Sequence, residues 1–107
     1  AEIWITFPDP QIKFKRSKHR LTHPEFLNRY RQILQAQGSI HLKTDSEFLY
    51  GYTMGLMHDP AYRLSYAHHD IYNNPEAPRA ALAVQTFYEK IFLEHNKPIT
   101  YLQFQFN

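Results

Sequence analysis

The chain has 107 residues, room for one domain of ordinary size, so two independent domains are excluded. The 43% hydrophobic and 21% charged residues, with 8 Phe, 8 Tyr and 1 Trp as core material, give the composition of a globular protein and argue against disorder. No apolar run approaches the ~20 residues of a membrane span, AEIWITFPDP lacks the basic start and apolar stretch of a secretory signal, and the absence of cysteine excludes disulfides, thiolate metal sites and a cysteine nucleophile. The three glycines, at positions 38, 51 and 55, do not have the spacing of a G-x-G nucleotide loop.

In chain order, EIWITF places Ile3, Ile5 and Phe7 on one side of a strand and Trp4 and Thr6 on the other, the pattern of a central strand. A chain that opens this way, without an initiator Met, is expected to lack the first part of a longer protein. The net charge of +2 then hides an asymmetry. Lys13, Lys15, Arg16, Lys18 and Arg20 place 5 of the 12 basic residues within eight positions, and without them 7 basic residues face 10 acidic ones. A mildly acidic body thus carries one basic loop, either a solvated charge run or a nucleic-acid contact.

Thr22-His23-Pro24-Glu25 has the T-x-x-E form of a capping box. A helix with Phe26, Leu27, Tyr30, Ile33 and Leu34 on one stripe is expected behind it, stopped at Gly38. Ser39 to Lys43 alternates as a short strand, and Thr44-Asp45-Ser46-Glu47 is a second T-x-x-E box opening a helix that Asp59-Pro60 ends. Residues 61 to 74 read either as a strand with a loop or as irregular chain. From about Pro78, Val84, Phe87, Tyr88, Ile91, Phe92 and His95 form a third helical stripe, and Ile99 to Phe106 closes as a strand with Leu102, Phe104 and Phe106 on one face. The order β-α-β-α-(β)-α-β predicts an α/β layer fold with a mostly parallel sheet, in which ligands bind beyond the carboxyl ends of the strands. Asp9 in FPDP and Asp45 in KTD stand at two such ends. His68 and His69 are expected on opposite strand faces, unable to clamp one metal ion together, and Tyr50 is the one stacking aromatic expected at the surface.

The run FPDPQIKFKRSKHRLTHPEFL, then SIHLKTDSEFLYGY, then TFYEK resembles the C-terminal half of the tRNA (guanine-N7)-methyltransferases, from Ile3 to about Phe106. The resemblance implies a Rossmann-like methyltransferase fold from the fourth strand onward, with an antiparallel last strand. Residues 1–107 are then a single partial domain without the cofactor-binding segment, inactive alone. It further implies a cytoplasmic enzyme that uses S-adenosylmethionine to methylate a variable-loop guanosine of tRNA. Gln11 and Ile12 depart from the Trp and Pro usual in the family. The alternatives of other classes are a non-catalytic RNA-binding module and a structural or interaction fragment whose acidic strand ends are only caps.

Guanine N7 carries a free lone pair, so methylation needs no base to remove a proton. It needs placement, and negative charge near a purine that becomes cationic. By resemblance Asp9 is the catalytic residue at the junction of cofactor and base. Lys13, Asp45, Thr86 and Glu89 are implied to bind the substrate guanosine, and Lys15, Arg16, Ser17, Lys18, His19 and Arg20 the RNA. Tyr88 belongs to the apolar stripe and is expected in the core.

Overall fold

The computed structural model describes residues 2–34, 38–83 and 87–107. Strand β1 (Glu2–Thr6) leads through a 3-10 turn (Phe14–His19) to helix α1 (Pro24–Ile33), strand β2 (Ser39–Thr44) and helix α2 (Glu47–Leu56). Strand β3 (Tyr62–His68), a second 3-10 turn (Ile71–Asn73), helices α3 (Arg79–Ala83) and α4 (Phe87–Glu94) and strand β4 (Thr100–Phe106) complete the order. Residues 61–74 are thus a strand followed by a loop, and Val84 lies outside the described residues.

Both T-x-x-E boxes are used differently from the expectation. The Thr22 hydroxyl turns inward to Thr53 Oγ1 at 2.8 Å, which leaves the cap of α1 to His23, whose Nδ1 accepts from Glu25 N. Thr44 is still part of β2; Ser46 caps α2, its Oγ accepting from Leu49 N at 3.0 Å. Tertiary contacts and strand pairing thus draw the first Thr of each box out of capping position. Helix α1 ends at its cap Leu34, in extended backbone, before Gly38 is reached.

The four strands lie in the order β1-β2-β4-β3. The expectation of a mostly parallel sheet is corrected: β1 and β2 pair parallel, but β2–β4 and β3–β4 are antiparallel, so the sheet is mixed. The cause is the insertion of the reversed last strand between β2 and β3, where Phe104 pairs with Ile40 and Leu102 with Leu42. β1 stands at an edge of this sheet rather than at its centre, with Trp4 38% exposed.

Each face of the sheet has its own core. Ile5, Ile40, Leu42, Leu102 and Phe104 pack with Leu27 of α1 and Leu49 of α2, while Tyr101 packs with Ile71, Ala81 and Ile99 on the other face. Full burial of such side chains contributes ~1.5–3 kcal/mol each. Alternation along β2 points Ile40 and Leu42 to the first core and leaves His41 and Lys43, both buried, for the second face.

Candidate active site and RNA-binding loop

The register Thr6↔Lys43 continues one step further, with Phe7 N donating to Lys43 O at 2.8 Å. The carboxyl ends of β1 and β2 are therefore level, and Asp9 and Asp45 follow them at one edge of the sheet. β4, running the other way, begins at this edge, where Thr100 Oγ1 donates to Thr44 O at 2.6 Å.

Two left-handed residues shape the turn after β1, Phe7 at φ 51° and Gln11 at φ 49°. Conformations of this kind cost on the order of 1–3 kcal/mol for residues with a side chain, so something must hold them. Asp9 Oδ1 accepts from Gln11 N at 3.0 Å, and Gln11 O in turn accepts from Arg20 Nε at 3.0 Å. Arg20 Nη2 reaches Ile12 O at 3.3 Å, and the guanidinium lies over the rings of Phe48 and Tyr52 of α2 at 4.8 and 4.6 Å. A connected path thus runs from α2 through Arg20 to the Asp9 carboxylate.

Arg20 differs in this from the rest of its loop. It is 5% exposed, whereas Lys13, Lys15, Arg16, Lys18 and His19 are exposed and Ser17 is half-buried. Four cations and a histidine are displayed to solvent on a turn anchored by the fifth cation.

Asp45 is engaged from across the edge, its Oδ2 accepting from Lys97 Nζ at 2.7 Å. Glu89 on α4 is fully buried and pairs with the equally buried Lys43, Oε2 to Nζ 2.8 Å. Tyr72 joins both, accepting from Lys43 Nζ at 3.2 Å and donating to Glu89 Oε2. Thr86 lies outside the described residues.

The sequence reading missed Lys43, Tyr72 and Lys97. The signal for Lys43 was present in its alternation with Ser39 and His41; nothing local marks Lys97, 52 positions from its partner. Two further expectations are corrected. Tyr50 is half-buried and packs against the first core. The rings of His68 and His69 lie together, stacked at 4.7 Å, because β3 ends at His68 and strand alternation stops there.

Beside this edge, Trp4 stacks on His41 at 3.9 Å. Burial holds the His41 imidazole below its ordinary value, against the opposing pull of Glu2. A neutral ring satisfies both neighbours, since Nε2–H donates to Glu2 Oε1 at 3.0 Å and Nδ1 accepts from the Tyr101 hydroxyl at 2.7 Å. Burial pushes the Tyr101 phenol up to about 12.

Helices on a mixed sheet, with carboxylates beyond two parallel strand ends, make this an α/β protein with a candidate site at one edge of the sheet. The family model described as Putative methyltransferase matches residues 1–102, and the chain belongs to this family. Curated relatives carry a more particular name, tRNA (guanine-N(7)-)-methyltransferase. The protein of that name from Christiangramia forsetii is 58% identical over 105 residues, covering 98% of this chain and 47% of the relative. Its namesakes from Porphyromonas gingivalis and Bacteroides fragilis are 42% and 36% identical over 104 residues, 97% of this chain in each case and 42% and 40% of the relatives. The chain spans about half the length of the curated relatives it matches.

Proposed function

We propose that this chain is the C-terminal half of the catalytic domain of a cytoplasmic tRNA (guanine-N7)-methyltransferase. The observation that carries the reading is the parallel register of β1 and β2, which brings Asp9 and Asp45 to one edge beside an exposed basic loop. The names of the relatives supply the substrate and the reaction.

S-adenosylmethionine, when bound, supplies an electrophilic methyl group on a cationic sulfonium. The residues present fit that end of it, because Asp9 is an exposed carboxylate with one oxygen held by its own turn. Asp9 keeps negative charge beside the purine as N7 becomes cationic, and takes no proton, since N7 has none to give. Asp45 meets Lys97 through Oδ2, leaving Oδ1 to accept from the imino and amino edge of guanine. Lys13, Lys15, Arg16, Lys18 and His19 meet RNA phosphates, which positions the substrate without reading its sequence. Glu89, without exposed surface, serves by holding Lys43 and Tyr72.

The test is methyl transfer by the full-length gene product from labelled S-adenosylmethionine to tRNA transcripts, with the product mapped by chain cleavage at N7-methylguanosine. Methylation at a variable-loop guanosine is expected. A protein that binds tRNA tightly and transfers no methyl group would instead be an RNA-binding module.

A further inference from the structure

Within the basic run, Phe14 stands between Lys13 and Lys15 and is 88% exposed. Trp4, Ile12, Ile33, Phe48 and Leu64, the other exposed large apolar side chains among the described residues, are 38%, 63%, 73%, 40% and 38% exposed. Leaving a Phe in water forgoes ~1.5–3 kcal/mol of burial. The ring nevertheless sits on a well-anchored segment. Arg16 N donates to Lys13 O at 2.9 Å, Arg16 Nε to Gln11 Oε1 at 3.2 Å, and Arg20 fastens the root of the loop to α2. The side chain is therefore presented to solvent rather than left on a loose end.

The surroundings of the ring select its partner. Lys13, Lys15, Arg16 and Lys18 are all exposed around it, and an apolar protein surface that covered Phe14 would have to desolvate these cations. A partner with negative charge at close intervals and flat apolar faces between the charges satisfies both features at once. Single-stranded RNA has this chemistry: its phosphates meet Lys and Arg while its unpaired bases stack on aromatic rings.

We propose that Phe14 is a stacking platform for an unpaired RNA base, with Lys13, Lys15, Arg16 and Lys18 on the phosphates around it. This rests on the tRNA reading above and adds a contact that is neither catalytic nor base-selective. Every base has a π-face, so the platform tolerates any nucleotide that is free to unstack.

The experiment measures binding of a labelled tRNA transcript to the full-length gene product across a salt series. Phe14→Ala is expected to weaken binding about five- to 150-fold, the range for loss of one base stack. Its salt dependence should match wild type, because the ring releases no counterions. Lys15→Ala with Arg16→Ala should instead flatten the log-log slope by about 0.7 for each phosphate no longer neutralised. Phe14→Leu keeps apolar bulk without the flat ring and should bind as poorly as the Ala variant. Phe14→Trp should bind like wild type, with its added indole emission quenched by tRNA. Wild-type affinity in Phe14→Ala, or a blue-shifted emission from the added indole of free Phe14→Trp, showing the position already covered, overturns the proposal while the tRNA reading stands. Failure of wild type to bind tRNA overturns both.

Discussion

Arg20 and Lys15 are cations of one loop, yet the fold uses them for opposite purposes. Lys15 is exposed, and a phosphate contact there tolerates any flexible cation. Arg20 bridges two carbonyls and lies against two rings, which requires a planar fork. Arg20→Lys preserves the charge and loses that geometry, so we expect it to lower stability by about 2–3 kcal/mol in urea unfolding, with the salt slope of tRNA binding unchanged. A variant of wild-type stability would make Arg20 an interchangeable cation rather than the anchor of the loop. At Asp9 the question is charge or position. If charge near the forming cationic purine dominates, Asp9→Asn should lose nearly as much single-turnover methyl transfer as Asp9→Ala, about 10²-fold or more. If position dominates, Asn retains much of the rate through its side-chain acceptor for Gln11 N. Wild-type rates in both variants would leave Asp9 a turn-forming residue.

Elements are joined here by a few buried polar contacts between apolar layers. Thr53 Oγ1 donates to Leu49 O at 2.8 Å, so it accepts the proton of Thr22 and ties the entrance of α1 to α2. Lys43 and Glu89 tie β2 to α4 on the opposite face. Two charges without access to water depend on each other, and removing one deprives the other of a close counter-charge. Glu89→Gln, close to isosteric, should therefore cost about 3 kcal/mol or more in urea unfolding. The double variant with Lys43→Met should lose less than the sum of the single losses, because the second change removes a charge whose counter-charge is already gone. Strict additivity would show the pair to be uncoupled. Since β2 leads directly from Lys43 into Thr44 and Asp45, the same pair steadies the strand end that carries the proposed guanine contact.

At the scale of the whole molecule, two groups on the second sheet face, His41 and Tyr101, carry opposite pH dependences. Folded His41 resists the proton that the unfolded chain accepts near pH 6.5. Its contribution is therefore complete above that pH and is lost as pH falls through the lower folded value. Tyr101 acts in the other direction: burial, with Glu2 and Tyr66 adding to it, raises the phenol to about 12 from its ordinary value near 10. Its contribution is complete below about pH 10 and disappears as pH rises from there to about 12. Urea midpoints measured from pH 8 to pH 5 should fall for wild type and fall less steeply for His41→Gln. Parallel slopes would remove His41 from the account.

Much of this arrangement was legible along the chain. Helical and strand periodicities placed α1, α2, β2 and β4 close to their observed spans, because each buries one local face and a local face is written as local spacing. The strand-end position of Asp9 and Asp45 and the basic loop were legible for the same reason. Partners distant in sequence were not. The insertion of β4 between β2 and β3, which makes the sheet mixed, depends on which edge the last strand meets after folding. The burial of Arg20 against α2, the Lys43–Glu89 pair and the grip of Lys97 on Asp45 likewise join residues far apart along the chain. A charged residue in a sequence is assigned to water unless a counter-charge or an aromatic face is brought to it, and only the tertiary fold brings one. Residue type and spacing therefore determined which elements form and where their ends carry charge, whereas three-dimensional packing decided which charges face solvent and which hold the fold.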